Sequence, residues 1–309
     1  MRVLVTGVSG FVGGALGRYL RARGYGVTGV SRGAARSGAC CEFVSFDLTT
    51  GVVPGRFDAV VHCAARSAPW GRPAEFVAQN VRATANTLRV EADHFVFVSS
   101  SSVYYRWGDQ WGLTEESPVA ERPLNAYAAT KLEAERLVRA SGRRWTVVRP
   151  RAVFGPEDTV LFPRLLRAAK KGMLPRFGER EPVGDLIYIE NLCFLLERVL
   201  ALGATGDFNV TNGEPVGLWT FLNEVFRGLG YPELGRRVPV GVAMGLARGM
   251  EWASAATGWW EPPITRFGVE VMAHAKTFDV GKANAVLGRV PVSNAESLRR
   301  FVEWQSRFI

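Results

Sequence analysis

The chain has 309 residues, 47% of them hydrophobic and 22% charged, and a formal net charge of +9. This is the make-up of an ordinary soluble globular protein, long enough for one large α/β domain or a large and a small domain together. The basic excess is mostly arginine and is scattered. It argues for solvated faces and an anionic cofactor, and against nucleic acid as a partner.

The four cysteines, Cys40, Cys41, Cys63 and Cys193, have no metal-ligand spacing, and the adjacent pair is poorly placed for an ordinary disulfide. Reduced thiols, a cytoplasmic location and no bound metal are expected. The first strand starts at residue 2, so no signal peptide is expected before it.

Arg2–Thr6 reads as a short buried parallel strand. It runs into Gly7-Val8-Ser9-Gly10-Phe11-Val12-Gly13 and then an amphipathic helix to about Arg23. In a strand, glycine turn and helix of this kind, one glycine permits the tight turn. A second lets backbone approach a pyrophosphate, and a third lets helix and strand pack closely. The helix N-terminus offers free N–H groups to the phosphates. Gly7, Gly10, Phe11, Val12 and Gly13 are therefore candidate dinucleotide contacts. The second strand, Gly26–Val30, ends in Ser31-Arg32. No acidic residue stands there to take a ribose 2′-hydroxyl, whereas Ser31, Arg32 and Arg36 suit a 2′-phosphate. NADP(H) is expected in preference to NAD(H).

A third strand, Glu42–Phe46, leads to Asp47-Leu48, where the Asp can accept from an adenine amino group or cap a turn. A fourth, Ala59–His62, leads to Cys63-Ala64-Ala65, small residues past which a cofactor can lie. His62 and Cys63 read as packing residues. The loop Ser67–Pro73, with Trp70 in it, leaves the carboxyl edge of the sheet, where ligands bind in such folds. A helix is expected from Pro73 to Val90, with Asn80 in it either exposed or holding a water or a lysine. The fifth strand, His94–Val98, ends in four serines, Ser99 to Ser102.

Tyr127 and Lys131 are four apart on a helix expected over Ala126–Ala140, which puts them on one face. An ammonium beside a phenol lowers the phenol pKa and lets it exchange a proton with a substrate oxygen. A serine hydroxyl from the 99–102 run can hydrogen-bond the same oxygen. Trp145–Pro150 is the sixth strand.

After Pro150 the alternation stops. A basic amphipathic helix is expected over Leu161–Lys171 and a strand over Val183–Ile189 that rejoins the large sheet. Helices follow at Glu190–Leu202 and Leu218–Leu229. Val240–Trp260 is rich in Met, Trp, Ala and Gly, but Arg248 and Glu251 interrupt it, so it does not make the ~18-residue apolar run of a membrane span. It is expected to wall a hydrophobic pocket, with peripheral contact to a membrane surface as the second reading.

Taken together, these motifs resemble an extended short-chain dehydrogenase/reductase: Thr6-Gly7-x-x-Gly10-x-x-Gly13, Asp47-Leu48, His62–Ala65, Asn80, Ser99–Ser102, Tyr127-x-x-x-Lys131 and Arg149-Pro150. The stretches Ala68–Gly71, Arg149–Asp158, Gly184–Asn191 and Thr211–Pro215 resemble its 3β-hydroxysteroid dehydrogenase-like branch. That branch includes bacterial 2-alkyl-3-oxoalkanoate reductases. The resemblance implies a Rossmann-type doubly wound parallel sheet over 1–150, with 183–210 rejoining it. A smaller, mostly helical substrate domain would comprise 151–182 and 211–309. It implies Tyr127 as general acid/base and Lys131 as ribose ligand. It makes Ser100 the carbonyl-polarising serine, with Ser101 and Ser102 as alternatives. Cofactor contacts are implied for Cys63, Ala64, Ala65, Asn80, Ser99, Pro150 and Val153, and a homodimer is implied.

The expected activity is interconversion of a ketone and a secondary alcohol on a large hydrophobic substrate. If that substrate is a 3-oxo acid, Arg72, Arg106 and Arg151 are the candidates for its carboxylate. A nucleotide-sugar epimerase, served by Arg164, Arg167 and Lys170, is the first alternative. A non-catalytic dinucleotide sensor is the second, and an intact Ser, Tyr and Lys argue against it.

Overall fold

The computed structural model describes residues 1–172 and 174–308. Seven parallel strands make the large sheet, in the order β12-β7-β5-β4-β1-β2-β3. They are β1 (Arg2–Thr6), β2 (Gly26–Ser31), β3 (Glu42–Ser45), β4 (Arg56–His62), β5 (Glu91–Val98), β7 (Trp145–Pro150) and β12 (Gly206–Val210). Side chains alternate across the sheet, and both faces are covered, as parallel strands require. Val3 and Val5 enter one core with Leu16, Leu20, Leu192 and Leu196, residues of α1 (Phe11–Arg21) and α6 (Ile189–Leu202). Leu4 enters the other, with Ala83 of α3 (Ala83–Thr87) and Ala134 and Val138 of α4 (Ala126–Ala140).

The helix expected over Pro73–Val90 is three pieces. α2 (Pro73–Phe76) runs through a π-helical turn, Val77–Arg82, into α3. Asn80 lies in the π turn, a distortion of the kind found at functional sites.

The strand expected over Val183–Ile189 does not rejoin the large sheet. It is two short pieces, β10 (Val183–Gly184) and β11 (Ile187–Tyr188). β10 lies in a four-stranded sheet, between β13 (Val216–Gly217) and β15 (Lys276–Phe278). β6 (Gln110–Leu113) completes that sheet beyond β15. β11 pairs with β8 (Val153–Phe154). The strand that does join the large sheet is β12, in register with β7. Asp185 explains the detour: its carboxylate accepts from Thr211 Oγ1 at 3.2 Å and Phe278 N–H at 2.8 Å, pinning the turn between β10 and β11 to β15.

The remaining chain adds further helices and short strands. It includes α5 (Phe162–Lys170), β9 (Arg176–Phe177), α7 (Leu218–Gly228), β14 (Arg237–Val238) and α8 (Val240–Ala256). α9 (Arg266–Ala273), α10 (Gly281–Leu287) and α11 (Asn294–Gln305) complete it. Among the described residues no helix is long and apolar enough to cross a membrane.

Candidate active site

A cavity of about 310 Å³ opens at the carboxyl ends of β1, β2 and β4. Its lining includes Gly7, Gly10, Ser31, Arg32, Asp47, Leu48, Cys63, Ala64 and Ala65. Gly7 has φ +73°, and a Cβ on it would come within 2.9 Å of the Ala64 backbone. A Cβ on Gly13 would run into the carbonyl oxygens of Gly7 and Thr6. Gly10 caps α1 with no side-chain hydrogen bond, so the N–H groups of the first turn stay open. These features fit a dinucleotide with its pyrophosphate over the turn. The Asp47 carboxyl is held below the usual range, first by the Thr49 backbone N–H, at 2.9 Å from Oδ1. It is therefore an acceptor at the wall where an adenine would lie.

Phe11, Val12 and Gly13 lie in the first turn of α1 behind this cavity. Arg36 is not in the lining. Its guanidinium pairs with Glu157, which also takes Arg18 at 3.0 Å. Its Nε also donates to the carbonyl oxygen of cavity-lining Ser9 at 3.3 Å, so Arg36 borders the glycine turn with its charge already matched by Glu157. Glu157, 121 residues away, gives no signal of this pairing in local sequence. Ser31 donates to Gly33 O at 2.6 Å, and Arg32 reaches Gln79 Oε1 at 3.2 Å.

The second part of the site is where β5 and α4 meet. Asn125 caps α4 by accepting from Ala128 N–H at 2.8 Å, which fixes the first turn and the direction of Tyr127. Of the four serines, Ser99, Ser101 and Ser102 are at most 3% exposed and only Ser100 is partly open. Ser99 donates to Glu135 at 2.6 Å. Ser101 and the Tyr105 hydroxyl are 2.9 Å apart, and Ser102 Oγ donates to Ser100 Oγ at 3.0 Å. Burial raises the Tyr127 phenol pKa above its ordinary value, while the hydroxyls of Ser100 and Ser67 pull it back. Ser67, in the loop after β4, was not singled out from sequence.

Lys131 is 2% exposed, and burial lowers its pKa to about 8. Its ammonium donates to Val98 O at 2.8 Å and lies 4.6 Å from the Phe97 ring centroid. It is turned to the end of β5, and the Tyr127 pKa is raised by burial rather than lowered by the lysine as expected from sequence. Asn80, 1% exposed, does not hold the lysine either. It accepts from Arg66 N–H at 2.7 Å and donates to Thr130 Oγ1 at 3.0 Å, tying the loop after β4 to α4. Pro150 and Val153 flank the turn after β7.

His62 and Cys63 behave as packing residues. His62 Nδ1 lies 2.8 Å from Thr6 Oγ1, and burial lowers its pKa to about 3. Burial pushes the Cys63 thiol up to about 12. Arg149 is also structural: it grips Glu135 through two hydrogen bonds of 2.9 and 2.7 Å beneath the site.

A phosphate turn, an adenosine wall, and a serine and tyrosine at adjoining strand and helix ends define a nicotinamide-dependent enzyme on a Rossmann-type sheet. Residues 3–211 match the NAD dependent epimerase/dehydratase family, and the chain belongs to that family, the extended short-chain dehydrogenases/reductases. Its relatives include 2-alkyl-3-oxoalkanoate reductases from Shewanella oneidensis, 29% identical over 96% of this chain and 84% of the relative, and Stenotrophomonas maltophilia, 31% identical over 97% and 98%. The chain is also 31% identical to the decarboxylating sterol-4-alpha-carboxylate 3-dehydrogenase of Bos taurus, over 74% of this chain and 70% of the relative. A solved structure of MoeE5 with UDP-glucose and NAD superposes with a TM-score of 0.75 at 25% identity, covering 100% of this chain and 99% of that one.

Proposed function

We propose that this protein is an oxidoreductase that interconverts a 3-ketone and a secondary alcohol on a large hydrophobic substrate, using NADP(H) in preference to NAD(H). The observation that carries the reading is Ser100, the partly open serine of the 99–102 run, acting on the Tyr127 phenol where β5 meets α4, beside a glycine-turn cavity at the carboxyl ends of β1, β2 and β4. When bound, the nicotinamide supplies or accepts hydride at the substrate carbon. Ser100 donates a hydrogen bond to the substrate oxygen, and Tyr127 passes the proton to or from it. With its pKa raised, Tyr127 is protonated at neutral pH, the state that reduction of a carbonyl requires. Lys131 lies one helical turn from Tyr127 and, with a ribose in place, orients it and restores the proton. The absence of an acid after β2 and the position of Arg32 in the cavity wall support NADP(H).

The names of the relatives support an oxygen at the 3 position of an apolar substrate. The Trp70 loop and the C-terminal helices suit such a ligand, with Trp70 stacked on Trp259. α8 leaves Val242, Leu246 and Trp252 exposed, which supports a peripheral contact for this face. A cytoplasmic homodimer belongs to the same reading. The MoeE5 likeness favours a nucleotide-sugar enzyme as the second reading. Against it, Arg164 is already paired with Glu261 through contacts of 2.6 and 3.0 Å.

The test is NADPH consumption with 3-oxo acids, 3-ketosteroids and UDP-sugars side by side. Turnover of an apolar 3-ketone supports the reading. Turnover confined to UDP-sugars, with tightly retained NAD, contradicts it.

A further inference from the structure

Arg151 is the first residue beyond β7, which lies beside β5. Val98 is in register with Val148, and Ser99 N–H donates to Val148 O at 2.8 Å. The chain therefore leaves β5 as Ser99-Ser100 and leaves β7 as Pro150-Arg151 at the same sheet edge. Ala152, with φ +44°, turns the chain immediately afterwards.

Arg151 is only 7% exposed. Its guanidinium carbon lies 5.5 Å from the Tyr105 ring centroid, and the Tyr105 hydroxyl meets Ser101, the neighbour of Ser100. On its other flank is β10, where a Cβ at Gly184 would lie 3.5 Å from Arg151 Nη2. The guanidinium is thus flanked by Tyr105 and β10 with its Nε fully buried, where the substrate half meets the Ser100–Tyr127 edge.

Among the described residues Arg151 makes no direct ion pair, although its charge acts on the Asp185 carboxylate at longer range. No carboxylate comes within ion-pair distance of it, and its fully buried Nε has no hydrogen-bond partner. Asp185, the acid in its neighbourhood, is engaged by Thr211 and Phe278 N–H. The contrast is Arg149, two residues earlier in β7, also buried and matched by Glu135 through Nε and Nη2. A guanidinium cannot shed its charge, and a buried one without an anion is strongly unfavourable. A ligand anion removes that penalty, and the planar fork suits a carboxylate. The other two sequence candidates, Arg72 and Arg106, are solvent-exposed.

We propose that Arg151 binds the anionic group of the substrate, a carboxylate carried beside the reacting carbonyl, so that the enzyme selects 3-oxo or 3-hydroxy acids over neutral ketones. The identity of the reaction rests on the proposed function above; the anion site rests on the burial and isolation of Arg151.

The protein saturated with NADP+ is titrated with decanoate and with decanol, alongside Arg151→Met and Arg151→Lys. The native protein is expected to bind decanoate at least about 10-fold more tightly than decanol, and Arg151→Met to lose that preference with decanol binding unchanged. Arg151→Lys keeps part of it. Because no hydrogen-bond partner is left behind, Arg151→Met is expected to melt no lower than the native protein. In turnover, Arg151→Met loses about 100-fold in kcat/KM on a 2-alkyl-3-oxo acid and little on its methyl ester. Equal native affinity for decanoate and decanol overturns the proposal. So does an equal loss on acid and ester, or a Lys variant that binds both ligands like the native protein if the Met variant does not fold. The binding pattern without turnover of any ketone leaves the anion site standing and removes the oxidoreductase reading alone.

Discussion

The Trp70 indole donates to Ser254 Oγ at 2.9 Å, joining the loop that follows β4 to α8 across 184 residues. The same ring stacks on Trp259, with centroids 5.4 Å apart. A loop at the carboxyl edge and an apolar C-terminal helix are thus joined, and in the proposed reading they form one wall of the substrate pocket. Trp70→Ala removes an aromatic pair worth ~1 kcal/mol and opens that wall. The expected result is a KM about 10-fold higher for long-chain substrates, with dinucleotide affinity unchanged. Steady-state kinetics over a series of chain lengths, with a parallel NADPH titration, checks it.

Lys131 gives the site a pH dependence. Burial lowers its pKa to about 8. In the proposed mechanism Lys131 restores the Tyr127 proton during reduction, so kcat is expected to fall as pH rises through about 8, and the oxidising direction to rise. Lys131→Met flattens both profiles and lowers kcat about 100-fold. The stability effect has its own sign. The folded pKa lies below the unfolded ~10.4, so the unfolded chain binds more protons between the two values. Stability of the dinucleotide-free protein is expected to rise from pH 8 towards pH ~10, as denaturant unfolding at several pH values can show.

His62 and His94 act at the acid end. Burial lowers their pKa values to about 3 and about 4. Both are neutral when folded, and below an unfolded pKa of ~6.5 the unfolded chain takes up their protons first. Stability is fully present above pH ~6.5 and is lost as pH falls towards these values, with His62 alone accounting for about 3 kcal/mol at pH ~4. Urea midpoints between these limits, for the native protein and His62→Gln, are the check. The variant is expected to lose the steep part of the slope.

Arg32 and Arg36 should separate. Arg32 lines the cavity, and Arg36 is paired with Glu157. Arg32→Ala is expected to raise the KM for NADPH about 10-fold and leave that for NADH unchanged, since a charge-assisted phosphate contact is lost. Arg36→Ala should change neither ratio by more than about 2-fold. Equal effects of the two variants contradict this assignment.

Local pattern carried much of this architecture. The glycine turn after β1, the β-branched strands and the i,i+4 spacing of Tyr127 and Lys131 are each written within a few residues. Features made by distant partners were not legible. The place of β10 and β11 outside the large sheet depends on Asp185 reaching Thr211 and Phe278. The π turn around Asn80 depends on Arg66 and Thr130. Four tandem serines look alike in sequence. They are distinguished only by where Glu135, Tyr105 and the surface lie, and that leaves Ser100 open beside Tyr127. Lys131 shows a further limit: spacing put it on the tyrosine's face, but tertiary packing turned its ammonium to Val98.

The most direct test of the account is the rate of NADPH oxidation by Tyr127→Phe on a 3-oxo substrate that the native protein reduces. Phenylalanine keeps the ring and removes the proton. The expected result is a loss of kcat of about 100-fold or more with NADPH binding and melting temperature preserved. A variant that turns over within about 2-fold of the native rate would contradict the central role given to Tyr127.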